Sequence, residues 1–258
     1  MDLPDALELI ASLEGYLHDL RDTGVEGLPL GSVISPHKAA APLAAAVRPS
    51  PAPPKPVVLE PSVVSVAADQ GGGIKAVREE LGDCRRCSLG ATRTKLLFGA
   101  GNLAARLVFV GDAPGGEDEQ QGIPFADEAG ELLTKIIQAM GFRRDEIYLC
   151  NVIKCRPPHD RDPQHDEIRE CYPFLLKQLQ AIGPEVVVTL GTFASQTLLR
   201  TKEPISKLRG VFHDYHGMTI MPTFHPAYLL RNGAMKREVW ADMQKVMKRL
   251  GVEAPVKR

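Results

Sequence analysis

Between residues 107 and 200, apolar runs alternate with stretches of helical periodicity. Leu107-Val108-Phe109-Val110 is long enough for one buried strand. It breaks into Gly111-Asp112-Ala113-Pro114-Gly115-Gly116, then three acids (Glu117, Asp118, Glu119), then Gly122-Ile123-Pro124-Phe125. Leu132, Leu133, Ile136, Ile137 and Met140 follow at helical spacing. Residues 147–152 read as a second buried strand, which runs into a charged loop at 153–158. The next helix carries Ile168, Cys171 and Leu175 and is interrupted or restarted at Pro173. Residues 185–190 form a third strand, stopped by Gly191, with a helix from Thr192, a residue suited to an N-cap. Residues 211–226, VFHDYHGMTIMPTFHP, read as a hairpin, and Val239, Trp240, Met243, Val246, Met247 and Leu250 mark a last helix. The alternation predicts an α/β fold, a three-layer αβα domain around a central, mainly parallel sheet. Right-handed crossovers follow from the general rule.

The flanks read differently. Leu3, Leu7, Ile10, Leu13, Leu17 and Leu20 form one stripe, so residues 1–28 are expected to hold an amphipathic N-terminal helix. A lone helix cannot bury that stripe. It docks on the main domain, on a second copy or on another protein partner. Residues 29–73 are expected to form a linker: the stretch at 35–56 is Pro- and Ala-rich, with too little apolar bulk to pack. Its last part, VVLEPSVVSVAADQGGG, either adds an edge strand or stays loose. The working domain is placed at 74–251, opening on a short helix with Ile74, Val77 and Leu81 that ends at Gly82, and 252–258 is a tail.

Composition narrows the class. The chain has 258 residues, 44% hydrophobic and 24% charged, with a net charge of −1, so no global excess of positive charge marks a nucleic-acid partner. Residues 1–72 hold four Lys or Arg against nine Asp or Glu, which leaves 27 against 23 in the mildly basic remainder. No run of about eighteen apolar residues is present, so no membrane span is expected. The N-terminus lacks the basic region of a secretory signal, and five cysteines, an odd number, fit a reducing, cytoplasmic location.

The candidate chemistry sits in the loops. A glycine-proline loop after a buried strand is where ligands bind in open α/β sheets, although an ordinary βα connection reads the same way. Phosphate binding fits poorly, since there is no GxGxxG or GK[ST] and three carboxylates follow. Cys84 and Cys87 form a CxxC, and Cys155 and Cys171, with fifteen residues between them, are the other candidate ligands. Spacing does not separate zinc from iron-sulfur. Cys150, inside a strand, reads as a small core residue.

Taken together, these stretches resemble the family 4, iron-sulfur uracil-DNA glycosylases. GDAPGGEDEQQGIPF resembles the family's first motif, NVIKCRPP its NVVKCRPP stretch, and HPAYLLR (His225 to Arg231) its second motif. The cysteine pattern resembles the cluster ligands, and the resemblance covers roughly residues 74–250. It implies a monofunctional hydrolase that flips uracil out of DNA, cleaves its bond to deoxyribose and leaves an abasic site, as base excision repair requires. It also implies a structural [4Fe-4S] cluster on Cys84, Cys87, Cys155 and Cys171, with uracil-containing DNA as partner. An iron-sulfur electron carrier or a non-catalytic DNA-binding protein is the alternative. A superfamily variant that traps uracil covalently carries a KRRIH insertion that this chain lacks.

The same resemblance assigns roles. Phe125 stacks on the base, Asn151 reads its edge, and His225 bonds O2 where negative charge builds. Gly111, Ala113 and Asp118 complete the pocket, with Asp118 near the position a thymine methyl would take. Asp112 stands where the family usually has Glu, Asp118-Glu119 reverses the usual order, and Ala113 replaces the water-activating Asp of family 1. Asp112 is therefore expected to orient water or stabilise a cationic sugar. Lys154, Arg156, Lys207, Arg209 and Arg231 are expected on DNA, with Leu229 or Leu230 wedging into the vacated stack.

Overall fold

The computed structural model describes residues 72–254. The expected N-terminal helix and residues 29–71 of the expected linker lie outside them. In chain order the elements are α1 (Gly72–Leu81), α2 (Leu89–Thr92), β1 (Ala100–Gly101), β2 (Leu107–Gly111), α3 (Gly116–Gln121), α4 (Glu128–Ala139), β3 (Tyr148–Asn151), α5 (His165–Ile182), β4 (Val186–Leu190), α6 (Thr192–Leu199), α7 (Ile205–Leu208), β5 (His213–Tyr215), β6 (Met218–Thr223), α8 (Pro226–Arg231) and α9 (Lys236–Leu250). One sheet runs β1-β3-β2-β4-β6-β5. Its four inner strands are parallel, and β1 and β5 pair antiparallel at the two edges.

The inner strands read as unbroken apolar runs because helices cover both faces. Val108, Val110, Cys150 and Val187 point to one layer, with Ile74 of α1, Leu175 and Leu179 of α5 and Leu198 of α6. Leu107, Phe109, Leu149 and Val188 point to the other, with Leu133 and Ile137 of α4 and Val239, Met243 and Val246 of α9. Val252 packs on this second layer, so the tail begins one residue later than the sequence boundary.

Three expectations change in detail. Helix α1 starts at Gly72, so the last two residues of the expected linker are already helical. Helix α5 runs unbroken through Pro173. A mid-helix proline costs about 3 kcal/mol; burying Leu175 and Leu179 completely, at about 1.5–3 kcal/mol each, offsets it. Thr192 is the first helical residue of α6, and Gly191 is its N-cap. The hairpin forms as expected: His216 (φ 52°) and Gly217 (φ 75°) both take the positive φ of a type I′ turn. Strand β1 was not legible, since Ala100-Gly101 has no strand pattern.

Candidate active site

The C-terminal ends of β2 and β3 and the second residue after β6 bring Gly111, Asp112, Asn151 and His225 together, with Phe125 from the loop after α3. Gly111 ends β2 opposite Asn151, which ends β3. A Cβ on Gly111 would collide with Asn151 Oδ1 and reach within 2.6 Å of the Phe125 ring, so only glycine lets the two side chains close over the strand end. Asn151 is 2% exposed, and its Oδ1 has no hydrogen-bond partner among the described residues. An orphaned buried acceptor costs about 1–3 kcal/mol, so a native fold keeps one for a reason.

Phe125, beside Gly111, takes a left-handed backbone conformation, φ 58°. For a bulky side chain that geometry is strained by about 1–3 kcal/mol. The loop around it is held from several sides. Asp118 accepts from the backbone N–H of Ala126 (2.7 Å) and of Gly115 (3.2 Å). Gly130 lets α4 approach until a Cβ there would strike the Phe125 carbonyl. Asp118 is thus a clasp for the loop that aims Phe125. Its carboxyl group is buried and bonded to two backbone amides.

The other wall joins Asp112, Gly191 and His225. Gly191, at φ 95°, takes a conformation that disfavours any side chain, and a Cβ there would sit 2.8 Å from Asp112 Oδ2 and 3.3 Å from His225 Cβ. Asp112 Oδ1 accepts from the Ala194 N–H in the first turn of α6 (2.6 Å). Burial pushes its carboxyl up to about 7, against the pull of that amide, and Asp162 adds to the rise. His225 caps α8: its Nδ1 accepts from the Ala227 N–H (3.2 Å). Burial holds its pKa down to about 4, although Asp127 raises it. The imidazole is therefore neutral near pH 7, and with Nδ1 accepting, its proton is on Nε2. The Phe125 and His225 rings stand 6.1 Å apart, tilted 30°. Ala113, half-buried, packs against the core at the end of β2. The sequence reading missed Gly191 and Gly130. Their signal is geometric, a close approach that appears only when distant segments meet.

The thiols gather behind β3. Cys84, Cys155 and Cys171 are buried and Cys87 is half-buried, all as free cysteines. They act on one another: burial lifts the Cys155 thiol to about 11, with Cys171 and Cys87 contributing, and burial raises Cys171, with Cys87 and Cys84 adding to it. Arg86 donates to Cys84 Sγ (3.3 Å) and Arg93 to Cys155 Sγ (3.5 Å). Among the described residues no three His, Cys, Asp or Glu close on a single metal ion. Four cysteines that act on one another, with Arg86 and Arg93 beside them, are a donor set suited to a metal centre. Cys150 is fully buried in β3, in the core layer as expected.

The expected DNA contacts divide. Lys154 is fully buried and donates to the Asn151 carbonyl and to Gln178 Oε1, both at 2.7 Å. Leu229 is fully buried, leaving Leu230, 39% exposed, as the wedge candidate. Arg209 is drawn inward by Asp242 (2.7 Å) and Glu238 (3.0 Å). Lys154 and Leu229, fully buried, are corrected from DNA contacts to scaffold, while Arg209 stays partly exposed. Arg156 pairs with Asp160 (2.7 Å), Lys207 with Glu203 (3.2 Å), and Arg231 is exposed. A cavity of about 540 Å³ on the flank, near Tyr172, Phe193 and Arg200, includes none of the convergent polar groups.

This layered α/β sheet is that of the uracil DNA glycosylase superfamily, whose family model matches residues 98–244. A type-4 uracil-DNA glycosylase of Thermotoga maritima is 43% identical over 176 residues, covering 67% of this chain and 92% of that protein. Another, of Archaeoglobus fulgidus, is 36% identical over 184 residues, covering 68% and 92%. A type-5 uracil-DNA glycosylase of Pyrobaculum aerophilum is 27% identical over 172 residues, covering 60% and 74%. The chain belongs to the type-4 uracil-DNA glycosylases.

Proposed function

We infer that this chain is a DNA-repair glycosylase that takes uracil out of the helix and hydrolyses its N-glycosidic bond. The observation that carries the base specificity is the orphaned Asn151 Oδ1, buried beside Phe125. Uracil supplies what it lacks. Its N3–H donates to Oδ1, and its O4 accepts from the same amide's N–H. Cytosine offers the opposite pattern at both positions and would leave buried groups unpaired at about 1–3 kcal/mol each. Phe125 gives the base a face to stack on.

As the C1′–N1 bond breaks, its electron pair moves onto the base and builds charge at O2. Neutral His225 donates from Nε2 to that oxygen, an interaction stronger in the transition state than before it. The sugar becomes cationic, and Asp112, when ionised, stabilises it and orients the water whose oxygen joins C1′ and whose released proton neutralises the departing uracil anion. The products are free uracil and an abasic sugar. Arg156, Lys207 and Arg231 act on the phosphates, and Leu230 fills the gap left by the flipped nucleotide. Cys84, Cys87, Cys155 and Cys171 would hold a [4Fe-4S] cluster, which when bound cross-links the segments around residue 84, the loop after β3 and α5. An electron carrier or a non-catalytic DNA binder gives Asn151, Phe125 and His225 nothing to do.

The test is excision. A uracil-containing oligonucleotide incubated with the protein and then treated with alkali should break at the uracil position, and the cytosine control should stay intact. An intact uracil strand, with DNA binding retained, would contradict the reading.

A further inference from the structure

We propose that Arg144 is a positioning residue for base stacking, acting through Phe125 without touching the base. The proposal rests on the reading of Phe125 as the stacking ring. Phe125 is held at φ 58°, a backbone state that a phenylalanine does not keep unless its surroundings impose it. Arg144 is half-buried and lies on the segment that leads into β3. Its Nη2 donates to the carbonyls of Pro124 and Phe125, both at 2.7 Å. Its Nη1 donates to Thr134 Oγ1 (2.7 Å) and to the Gly130 carbonyl (3.3 Å) on α4.

One planar guanidinium thus grips both sides of the strained peptide and the helix that follows it. Lysine has no such fork; its ammonium is a point donor that does not reproduce the paired geometry. No carboxylate forms a salt bridge with Arg144 among the described residues, so the cation is directed to backbone carbonyls rather than to charge pairing. Because the segment continues into β3, which ends at Asn151, the same residue sets the Phe125 wall against the strand that carries the reader. A loosened grip lets Phe125 relax toward negative φ, and the ring leaves its place over Gly111.

A double-mutant cycle on the full chain tests this. Arg144→Ala should lower kcat/KM for uracil excision about ten- to a hundredfold, as expected for losing charge-assisted hydrogen bonds that fix a binding surface. In the Phe125→Ala background the same change should lower it less than about threefold, because the ring it positions is gone. Inhibition by free uracil should weaken in parallel, while the visible absorbance of the purified protein stays at the wild-type level. Guanidinium ion at millimolar concentration should restore part of the Arg144→Ala activity and none of the Phe125→Ala activity. If Arg144→Ala does not accumulate, Arg144→Lys carries the same cycle. Equal losses in both backgrounds would overturn the proposal while leaving the uracil reading intact. Full activity in Phe125→Ala alone would overturn both.

Discussion

Asn151 and Lys154 sit three residues apart at the end of β3, both buried, and the fold treats them in opposite ways. The Lys154 ammonium meets two acceptors at 2.7 Å, and Gln178 carries the network on to Tyr148 Oη (2.7 Å) and the Phe98 carbonyl (2.9 Å). Asn151 Oδ1 meets none among the described residues. A satisfied buried charge belongs to the scaffold, because breaking its partners costs several kcal/mol. The unsatisfied buried acceptor, beside a strained aromatic, is the one we propose for the base. The two readings of one short stretch, NVIKC, are thus separated by hydrogen bonding rather than by residue type.

The scaffold side should give the largest effects. Cys84→Ala should lose the yellow-brown colour and most of the soluble yield together, whereas Cys150→Ala keeps both; iron analysis and absorbance of the purified variants check this. A colourless wild-type protein containing zinc would instead reject the cluster. Next, Lys154→Met should leave two buried acceptors unpaired and lower stability by about 2–4 kcal/mol. That lowers Tm by roughly 5–15 °C for a domain of this size, read by thermal melting. A Lys154→Met variant that melts like wild type but binds DNA weakly would restore the residue to the DNA surface and break the contrast.

Much of this contrast was illegible in the sequence, for physical reasons. The inner strands announced themselves because both their faces are buried, and the loops followed from glycine and proline. Lys154 and Arg209 read as exposed cations, since a sequence shows a charge but not the partners that pull it inside. Leu229 and Leu230 are adjacent and equally apolar; only the turn of α8 decides that one faces the core. Asp118 lies in the expected loop, yet its task is set by the amide of Ala126, eight residues on. Arg144 had no signal at all, because its partners are carbonyls, which every residue has. The motif residues Asn151, Phe125 and His225 were legible only through family resemblance.

A smaller effect sharpens the pocket side. Burial holds Asp112 protonated below about pH 7, and its proposed role needs the carboxylate. So kcat/KM should rise about tenfold per pH unit below 7 and level off above it. His225, with its pKa near 4, should add no limb between pH 5 and 9. The same shift acts on stability with the opposite sign. The folded state holds the Asp112 proton more tightly than the unfolded chain, so this residue's contribution falls as pH climbs from about 4 to 7. Asp112→Asn should therefore raise Tm at pH 8 while lowering excision; a pH-independent rate, or a lower Tm at pH 8, would remove Asp112 from this role.

The central claim, that the unpaired Asn151 amide reads uracil, is tested most directly by the rates of Asn151→Asp on otherwise identical uracil and cytosine strands. The change keeps the size and turns the donor into an acceptor. Uracil excision should fall about ten- to a hundredfold, the loss of at least one buried hydrogen bond of roughly 1–3 kcal/mol. The cytosine-to-uracil ratio should rise, with colour and melting unchanged. Removal of uracil by Asn151→Asp at the wild-type rate, while Phe125→Ala and His225→Ala are impaired, would contradict the account.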